Sequence, residues 1–286
     1  MIKKAIIPVA GLATRFLPAS KVVPKTMFPI GDKPIIHMLV EEAVKAGIEE
    51  IAIVVSDRQE IIKEYFKPDE ILEKELSDRG RTEKYKLLSD IHKMAKIHFF
   101  TQEKMLGDGH ALLATKNFIK EGESCLVLFG DELIGNDGPN AAQQLINYYN
   151  DVQAPIVGVH LINEEEIEKY GIVETNEKGQ IQTMVEKPKM EETNSRLAII
   201  GKYIINREVL DCIKNSNPGK PDGELRLIDG LKTYNNGINT YAVTLDGQRF
   251  DTGNHLGLLE ANIYFGLKDK TVNTNLKKYL QTVEKL

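Results

Sequence analysis

Short apolar runs rich in Ile and Val recur along more than half of this 286-residue chain, and segments with helical spacing separate them. This alternation predicts βαβ units, and hence a mostly parallel sheet with helices on its faces. One helical segment begins at Ile35 and ends near Gly47, a residue type that commonly terminates helices. The predicted strands of this sheet are residues 5–9, 51–55, 97–101, 124–129 and 155–161.

The pattern changes after Tyr170, where short predicted strands follow one another with turn signals between them. These strands, over 171–175, 180–186 and 197–205, indicate a small antiparallel region that closes a pocket. A densely charged stretch over 66–96 has helical spacing and is expected to lie over the sheet, and a helical tail is expected over 256–286. The predicted fold class is therefore α/β, with a Rossmann-like, mostly parallel mixed sheet flanked by helices.

Net charge and hydropathy exclude two classes of partner. The chain carries a formal charge of −5 and contains no long basic run, which argues against a protein that binds a nucleic acid polymer. No stretch approaches the roughly 18 apolar residues that a membrane-spanning helix needs. We therefore expect a cytoplasmic protein that binds no membrane.

The first predicted strand is followed by a turn of small residues, Pro-Val-Ala-Gly-Leu-Ala-Thr-Arg-Phe-Leu-Pro over 8–18. Small residues let a backbone approach a ligand closely, and free N–H groups followed by Arg15 and Lys25 suit an anion. The glycine spacing matches neither the P-loop nor the dinucleotide-binding fingerprint. The segment predicts a phosphate-binding loop of another kind.

Three further segments carry polar residues at the ends of predicted strands. Gln102 can donate and accept hydrogen bonds at once, as the imide edge of uracil or thymine requires. Asp131 ends an apolar strand and, with Asp251, offers the carboxylates that Mg²⁺ prefers. Glu186 can accept hydrogen bonds from sugar hydroxyl groups, and Lys187 can bind a sugar phosphate.

The pattern Gly-x-x-Thr-Arg-x-x-Pro followed by Pro-Lys is similar to the signature of the sugar-nucleotide pyrophosphorylases. The longer string at 8–19 resembles that of the bacterial UTP–glucose-1-phosphate uridylyltransferases, and further matches extend to about residue 262. This resemblance implies roles for individual residues. It assigns the triphosphate to Arg15 and Lys25, the base and phosphates to Ala10 and Gly11, the base to Gln102 and Gly107, the sugar to Gly171 and Glu186, the sugar phosphate to Lys187 and the metal to Asp131 and Asp251.

The same resemblance implies a reaction and a division of the chain. A uridylyl group would pass from UTP to α-D-glucose 1-phosphate by direct in-line attack, with Mg²⁺ as cofactor and with Arg15, Lys25 and Lys187 as catalytic cations. Since no Gly/Ser/Pro-rich linker divides the chain, we expect a single domain over 1–286, with a nucleotide-binding part to about 135, a sugar-binding part over about 136–255 and the helical tail over about 256–286. The family also implies a homodimer or a homotetramer.

Four positions depart from the family pattern. Ala13 stands where the loop normally has a second glycine, so its methyl group is expected to crowd the phosphates or to require a strained backbone. Asp108 replaces an apolar residue, and Arg226 and Ile228, in the segment 222–229, replace Gln and Thr. Two alternatives therefore stay open: a thymidylyltransferase that uses dTTP, and a non-catalytic paralogue that binds nucleotide sugars.

Overall fold

The computed structural model of the protein describes residues 1–216, 223–235 and 239–283. Asp222, which begins the segment 222–229, and residues 284–286 of the predicted tail lie outside this part of the chain. The described strands are β1 (Lys4–Pro8), β2 (Pro29–Ile30), β3 (Lys33–Pro34), β4 (Glu50–Val55), β5 (Lys96–Thr101), β6 (Ser124–Leu128), β7 (Glu132–Gly135), β8 (Ile156–Leu161), β9 (Gly171–Thr175), β10 (Ile181–Glu186), β11 (Leu197–Asn206), β12 (Tyr241–Thr244) and β13 (Gln248–Asp251). The α-helices are α1 (Ile35–Lys45), α2 (Glu60–Tyr65), α3 (Glu70–Asp78), α4 (Thr82–Ile91), α5 (Asp108–Leu113), α6 (Ala141–Val152), α7 (Arg207–Asn215), α8 (Leu227–Asn235), α9 (His255–Lys268) and α10 (Asn273–Val283).

Four parallel strands form the centre of the main sheet, in the order β6, β1, β4, β5. In this register Ala5 lies opposite Ile51 on one side and Leu126 on the other. The strands agree with the predicted ranges to within one residue at either end. The predicted α/β class, with a mixed, mostly parallel central sheet flanked by helices, is confirmed.

The sheet continues beyond β6 with antiparallel pairings. The long strand β11 pairs with β6 and β9 along one side and with β8 along the other, and β10 extends the sheet beyond β9. The sequence pattern groups β8 with the parallel strands, but β8 joins the sheet through an antiparallel pairing with β11 and a parallel pairing with β12. The antiparallel region predicted after Tyr170 therefore continues the main sheet.

Apolar side chains are buried on both faces of the parallel strands. Ala5 and Ile7 belong to the cluster that packs against α1 and α6, whereas Ile6 belongs to the cluster that packs against α5, α7 and α8. Successive residues of a strand point to opposite faces, so a strand covered on both sides needs apolar residues throughout. This explains why the strands are recognisable as continuous apolar runs.

The charged stretch 66–96 is helical, as predicted, and contains α3 and α4. The preceding helix α2 buries Ile62 completely, whereas α3 has no buried residue and α4 has only Ser89. Most of the insertion is therefore exposed to solvent. Among the residues that the structure describes, no helix combines the length and the apolar surface that a bilayer crossing would need.

A buried ion pair connects strand β11 to the helices α1 and α6. Lys202 of β11 is fully buried, and its Nζ donates to Glu42 Oε2 of α1 at 2.9 Å. The other carboxylate oxygen of Glu42 accepts from Ala142 N, at the start of α6, at 3.1 Å. Removing one member of such a pair leaves an uncompensated charge in the interior, which costs more than the pair itself contributes.

We expect Glu42→Leu to lower the free energy of unfolding by about 3–5 kcal/mol, because the Lys202 ammonium group then stays buried without a counter-charge. Urea unfolding followed by circular dichroism measures this. Adding Lys202→Met should recover most of the loss, and a double variant as unstable as Glu42→Leu would contradict the buried charge as the cause. The exposed pair of Lys67 and Glu64 is the control, since Glu64→Leu should shift the midpoint far less.

Candidate active site

Pro8, the last residue of β1, and the loop that follows it over 9–14 lie at the carboxyl ends of the parallel strands. They line a cavity of about 530 Å³, which we call the loop cavity. Two hydrogen bonds fix the start of the loop: Val9 N donates to Val54 O at 2.8 Å, and Gln59 Nε2 donates to Val9 O at 2.7 Å. The other walls are formed by Lys25, Thr26, Gln102, Met105, Gly107, Asp108, Ala111, Phe129, Gly130, Asp131 and Glu224.

Ala13 adopts the left-handed backbone conformation, with φ 51° and ψ 42°. A residue with a Cβ atom adopts this conformation at a cost of about 1–2 kcal/mol. The strained backbone expected at this position is therefore present. A short 3-10 turn follows, in which Phe16 N donates to Ala13 O at 3.0 Å and the Phe16 ring is buried against Phe28. The packing of Phe16 holds the turn in place.

Gln102 is buried at the end of β5 and orients its amide group through its NH₂ donors. Nε2 donates to Gly107 O at 3.0 Å and lies 3.3 Å from His110 Nδ1. Gln102 N donates to Val55 O, which continues the parallel ladder into the cavity wall. With its NH₂ group held in this way, the side chain offers Oε1 as an acceptor for a ligand N–H group.

Glycine is the residue type that fits position 107. Its φ is +94°, and a Cβ atom there would lie 2.4 Å from Leu225 O. A side chain would therefore push the segment 104–109 away from the segment 225–227 and out of the wall of the loop cavity.

Asp131 follows β6 and is paired with Lys25 Nζ at 2.8 Å. The surrounding protein disfavours a charge here, but the Lys25 ammonium group and its hydrogen bond outweigh this effect and hold the pKa of Asp131 below its usual value. Its side chain is partly exposed, towards the cavity. Asp131 is therefore an ionised carboxylate available to a ligand.

A two-stranded ribbon brings the second carboxylate to the same place. Strand β7 pairs antiparallel with β13, with Glu132 opposite Asp251, although the two strands are far apart in the chain. Beside them, Thr252 N donates to Asp131 O at 2.8 Å. A Cβ atom at Gly253 would lie 2.8 Å from Asp251 Oδ1 and 3.1 Å from Asp131 Oδ2, so both carboxylates face the space that this glycine leaves open.

This pair of carboxylates fits a magnesium ion. Within residues 1–216, 223–235 and 239–283, no group of three or more His, Cys, Asp and Glu could hold a metal. A cation between Asp131 and Asp251 would therefore take its other ligands from a substrate and from water. Mg²⁺ is typically bound in this way, through one or two carboxylates together with phosphate oxygens.

Next to the two acids, Arg249 and Glu132 form a bidentate ion pair. The Arg249 Nε and Nη2 atoms donate to the Glu132 carboxylate at 2.8 and 2.6 Å, and the guanidinium group lies 4.3 Å from the ring centroid of Tyr170. Burial opposes the charge on Arg249, but the bonds to Glu132 outweigh it and raise the pKa of the guanidinium further. The pair fixes the register of the ribbon that carries Asp251.

A second cavity, of about 1220 Å³, lies next to the first, and we call it the strand cavity. It runs between the antiparallel strands and the segment 224–228. Asp108, Phe129, Asp131 and Glu224 line both cavities and mark their junction. The other residues used below that line it are Arg15, Gly171, Glu186, Lys187, Arg226, Leu227, Ile228, Arg249 and Asp251.

Lys187 also has a left-handed backbone, with φ 50°, and it precedes Pro188. Its N donates to Tyr170 O at 3.1 Å, and its Nζ lies 4.0 Å from Glu186 Oε1. A Cβ atom at Gly171 would lie 3.0 Å from Glu186 Oε2, so the glycine makes room for that carboxylate. Strained residues of this kind persist where the surrounding structure holds them, often at functional sites.

Every site residue named from the sequence lines one of the two cavities. The two cations assigned together to the triphosphate are divided between them. Arg15 lines the strand cavity, and Lys25 lines the loop cavity. Of the residues taken from the sequence, the loop cavity contains Ala10, Gly11, Lys25, Gln102 and Gly107, the strand cavity contains Arg15, Gly171, Glu186, Lys187 and Asp251, and Asp131 lines both.

Sequence reasoning missed the structural roles of three charged residues. Glu132 directly follows Asp131 and Arg249 lies two residues before Asp251, and this proximity to the two predicted metal ligands was the available signal. Asp108 was noted only as a departure from the family pattern, yet it lies at the junction of the two cavities. Its role depends on a contact with residue 227, which local sequence does not reveal.

Comparisons with known proteins agree with this geometry. The nucleotidyl transferase family matches residues 4–265. The UTP–glucose-1-phosphate uridylyltransferase 2 of Staphylococcus saprophyticus is 36% identical over 287 residues, which cover 99% of this chain and 98% of that protein.

Two solved structures have the same fold over nearly the whole chain. A UDP-glucose pyrophosphorylase in complex with UDP-glucose has a TM-score of 0.83 at 35% identity and covers 94% of this chain and 100% of its own. A UTP-bound enzyme from Acinetobacter baumannii has a TM-score of 0.87 at 33% identity and covers 98% of this chain and 99% of its own. The chain therefore belongs to the nucleotidyl transferase family, among the UTP–glucose-1-phosphate uridylyltransferases.

Proposed function

We infer that the protein transfers a uridylyl group from UTP to α-D-glucose 1-phosphate and releases pyrophosphate. The observation that carries this inference is the meeting of two cavities at an ionised, lysine-paired Asp131, with a second carboxylate facing the same space. Two phosphorylated substrates could approach each other there. The similar proteins include a UTP-bound enzyme and one in complex with UDP-glucose, which supports the identity of the substrates.

In this proposal the loop cavity receives the nucleotide. Backbone N–H groups of the loop at Ala10 and Gly11 contact the phosphates and the base, and Gln102 and Gly107 bind the uracil edge. The orientation of Gln102 supports this role, because its NH₂ group is held by the protein while its Oε1 is available to accept from the N3–H group of uracil.

The strand cavity receives glucose 1-phosphate. Glu186 accepts hydrogen bonds from sugar hydroxyl groups, Gly171 leaves room for the ring, and Lys187 binds the phosphate as a point charge. The left-handed backbone of Lys187 supports a functional role, because a strained backbone persists only where the surrounding structure holds it, and such residues cluster at functional sites.

Asp131 and Asp251 would hold a magnesium ion, which supplies positive charge at the phosphates when it is bound. An oxygen of the sugar phosphate attacks the α-phosphorus of UTP, the bond from that phosphorus to the bridging oxygen breaks, and pyrophosphate leaves in line. No protein nucleophile is required. Arg15, Lys25 and Lys187 bind and orient the two anions and offset the charge that accumulates in the transition state.

One experiment separates this function from its two alternatives. Pyrophosphate release is measured with Mg²⁺ for UTP, dTTP, CTP, ATP and GTP against the 1-phosphates of glucose, galactose and N-acetylglucosamine. We expect the highest kcat/KM with UTP and glucose 1-phosphate. A preference for dTTP would identify a thymidylyltransferase, and UDP-glucose binding without turnover would identify a non-catalytic paralogue. The homodimer or homotetramer implied by the family stays a prediction.

Lys187→Ala should lower kcat/KM for glucose 1-phosphate by about 100- to 1000-fold, because it removes a charge that is needed more in the transition state than in the ground state. Steady-state pyrophosphate release measures this. Lys187 directly follows β10, and Lys178 is exposed in the turn between β9 and β10. Lys178→Ala is therefore the matched control and should leave the rate unchanged. Similar rates for the two variants would refute the role of Lys187.

Asp251→Asn should raise the Mg²⁺ concentration needed for half-maximal activity by about tenfold or more, because an amide is a much weaker ligand of a hard cation than a carboxylate. A magnesium titration of the initial rate at fixed substrate measures this shift. Asp246 is exposed just before the same strand, so Asp246→Asn is the control. An unchanged magnesium requirement in Asp251→Asn would remove that residue from the metal site.

A further inference from the structure

The segment 106–109, which borders the loop cavity, is joined directly to the segment 225–227, which borders the strand cavity. Leu225 N donates to Leu106 O at 2.8 Å, and Gly109 N donates to Leu225 O at 2.9 Å. A third bond involves a side chain, since Leu227 N donates to Asp108 Oδ1 at 2.7 Å. The first two bonds join backbone groups. The third depends on the Asp108 side chain, and a substitution at this position can therefore remove it.

The two segments are also in close contact at Gly107 and Gly109. A Cβ atom at Gly107 would lie 2.4 Å from Leu225 O, and one at Gly109 would lie 2.9 Å from the Leu225 and Arg226 carbonyl carbons. A displacement of 106–109 therefore displaces 225–227 as well. The neighbouring Ile228 reaches the strand cavity, where its Cδ1 would lie 3.1 Å from a Cβ atom at Gly171.

Asp108 lies at the junction of the two cavities, half-buried and lining both. The protein around it removes water from the carboxyl group, and Glu186 adds a nearby negative charge. Together these effects raise the pKa of Asp108 to about 6, although the bond from Leu227 N opposes them. An ionised carboxylate in such surroundings costs free energy unless it is hydrogen-bonded, and Leu227 N supplies that bond.

Leu227 is the first residue of α8, so the Asp108 carboxylate accepts from a free N–H group at the start of that helix. The helix in turn carries Ile228 into the wall of the strand cavity. Asp108 thus connects the loop beside Gln102 to the position of α8, and through α8 to the side of the cavity where Gly171 and Glu186 lie.

We propose that Asp108 is a positioning residue that couples the two halves of the active site, so that nucleotide in the loop cavity and sugar 1-phosphate in the strand cavity bind cooperatively. The proposal rests on the substrates inferred above. Nucleotide bound against Gln102 and Gly107 restricts the motion of the segment 104–109, and through Asp108 it also restricts α8 and the wall of the strand cavity. Because such coupling is reciprocal, each ligand tightens the binding of the other by the same factor.

The test measures binding, with turnover as a separate check. Isothermal titration gives the Kd of uridine 5′-(α,β-methylene)triphosphate, which cannot release pyrophosphate, with Mg²⁺ and with or without saturating glucose 1-phosphate. For the wild-type protein we expect the sugar phosphate to lower this Kd by about fivefold or more. In Asp108→Ala the ratio should fall towards one, while the Kd for the nucleotide alone changes much less.

Two variants separate coupling from simple loss of structure. Asp108→Asn keeps a side-chain oxygen that can accept from Leu227 N, so it should retain most of the coupling. Asp69 is the matched control, because its Oδ1 accepts from Leu72 N at 3.0 Å in the first turn of α3, on the exposed insertion. Asp69→Ala removes a bond of the same kind and should leave the coupling ratio unchanged.

Several results would overturn the proposal. A wild-type protein that turns over UTP and glucose 1-phosphate but shows no coupling would refute it, as would an Asp108→Ala variant with the wild-type ratio. An Asn variant that loses the coupling as fully as the Ala variant would refute the hydrogen bond as its cause. Absence of turnover in the wild-type protein would contradict the proposed function itself, and the pyrophosphate assay distinguishes this outcome from the others.

Discussion

The parallel pairing of β6, β1, β4 and β5 is the constraint on which the site depends. Parallel neighbours end at the same edge of a sheet, so the segments that follow them meet there. The loop after β1, Gln102 after β5 and Asp131 after β6 reach one cavity for this reason. The bonds from Val9 N to Val54 O and from Gln102 N to Val55 O extend the hydrogen-bond ladder of the parallel strands by one residue. They fix the backbone of these two residues in the wall of the loop cavity.

Left-handed backbone at residues that carry a Cβ atom occurs on both sides of the site. Ala13 belongs to the loop cavity, and Lys187 belongs to the strand cavity. A glycine would remove the strain at Ala13, but the methyl group also narrows the set of conformations open to the loop before a ligand binds. At Lys187 the hydrogen bond from its N to Tyr170 O offsets part of the cost of the left-handed conformation. In both places the neighbouring structure, more than the residue's own preference, decides the conformation.

The sequence predicts the fold well because the evidence for each strand is local. Burial on both faces requires apolar residues throughout the inner parts of β1, β4 and β6, and such runs are visible without knowledge of their partners. Strand pairing is not local. The positions of β8 between β11 and β12 and of β13 against β7 depend on contacts between distant segments, which apolar periodicity does not encode.

The same distinction applies to the site. Residues at strand ends, such as Gln102 and Asp131, can be predicted to line a ligand cavity from their position alone, and both line the loop cavity. Asp108 was not assigned a role, because its partner is a backbone N–H group more than a hundred residues away, and a backbone group leaves no trace in the sequence of that partner. A single substitution at such a position can therefore change how two parts of a site communicate while every recognisable motif stays intact.

A site for two polyanions that is itself lined by carboxylates needs its own charges to be offset before a ligand arrives. Glu132 is offset by Arg249, Asp131 by Lys25, and Glu186 in part by Lys187 at 4.0 Å. Asp108 and Asp251 instead accept from backbone N–H groups, at Leu227 and Gly253. Because these partners are part of the fold, the acids of the site are already offset before substrates bind, and the remaining positive groups can act on the phosphates instead of on the protein's own acids.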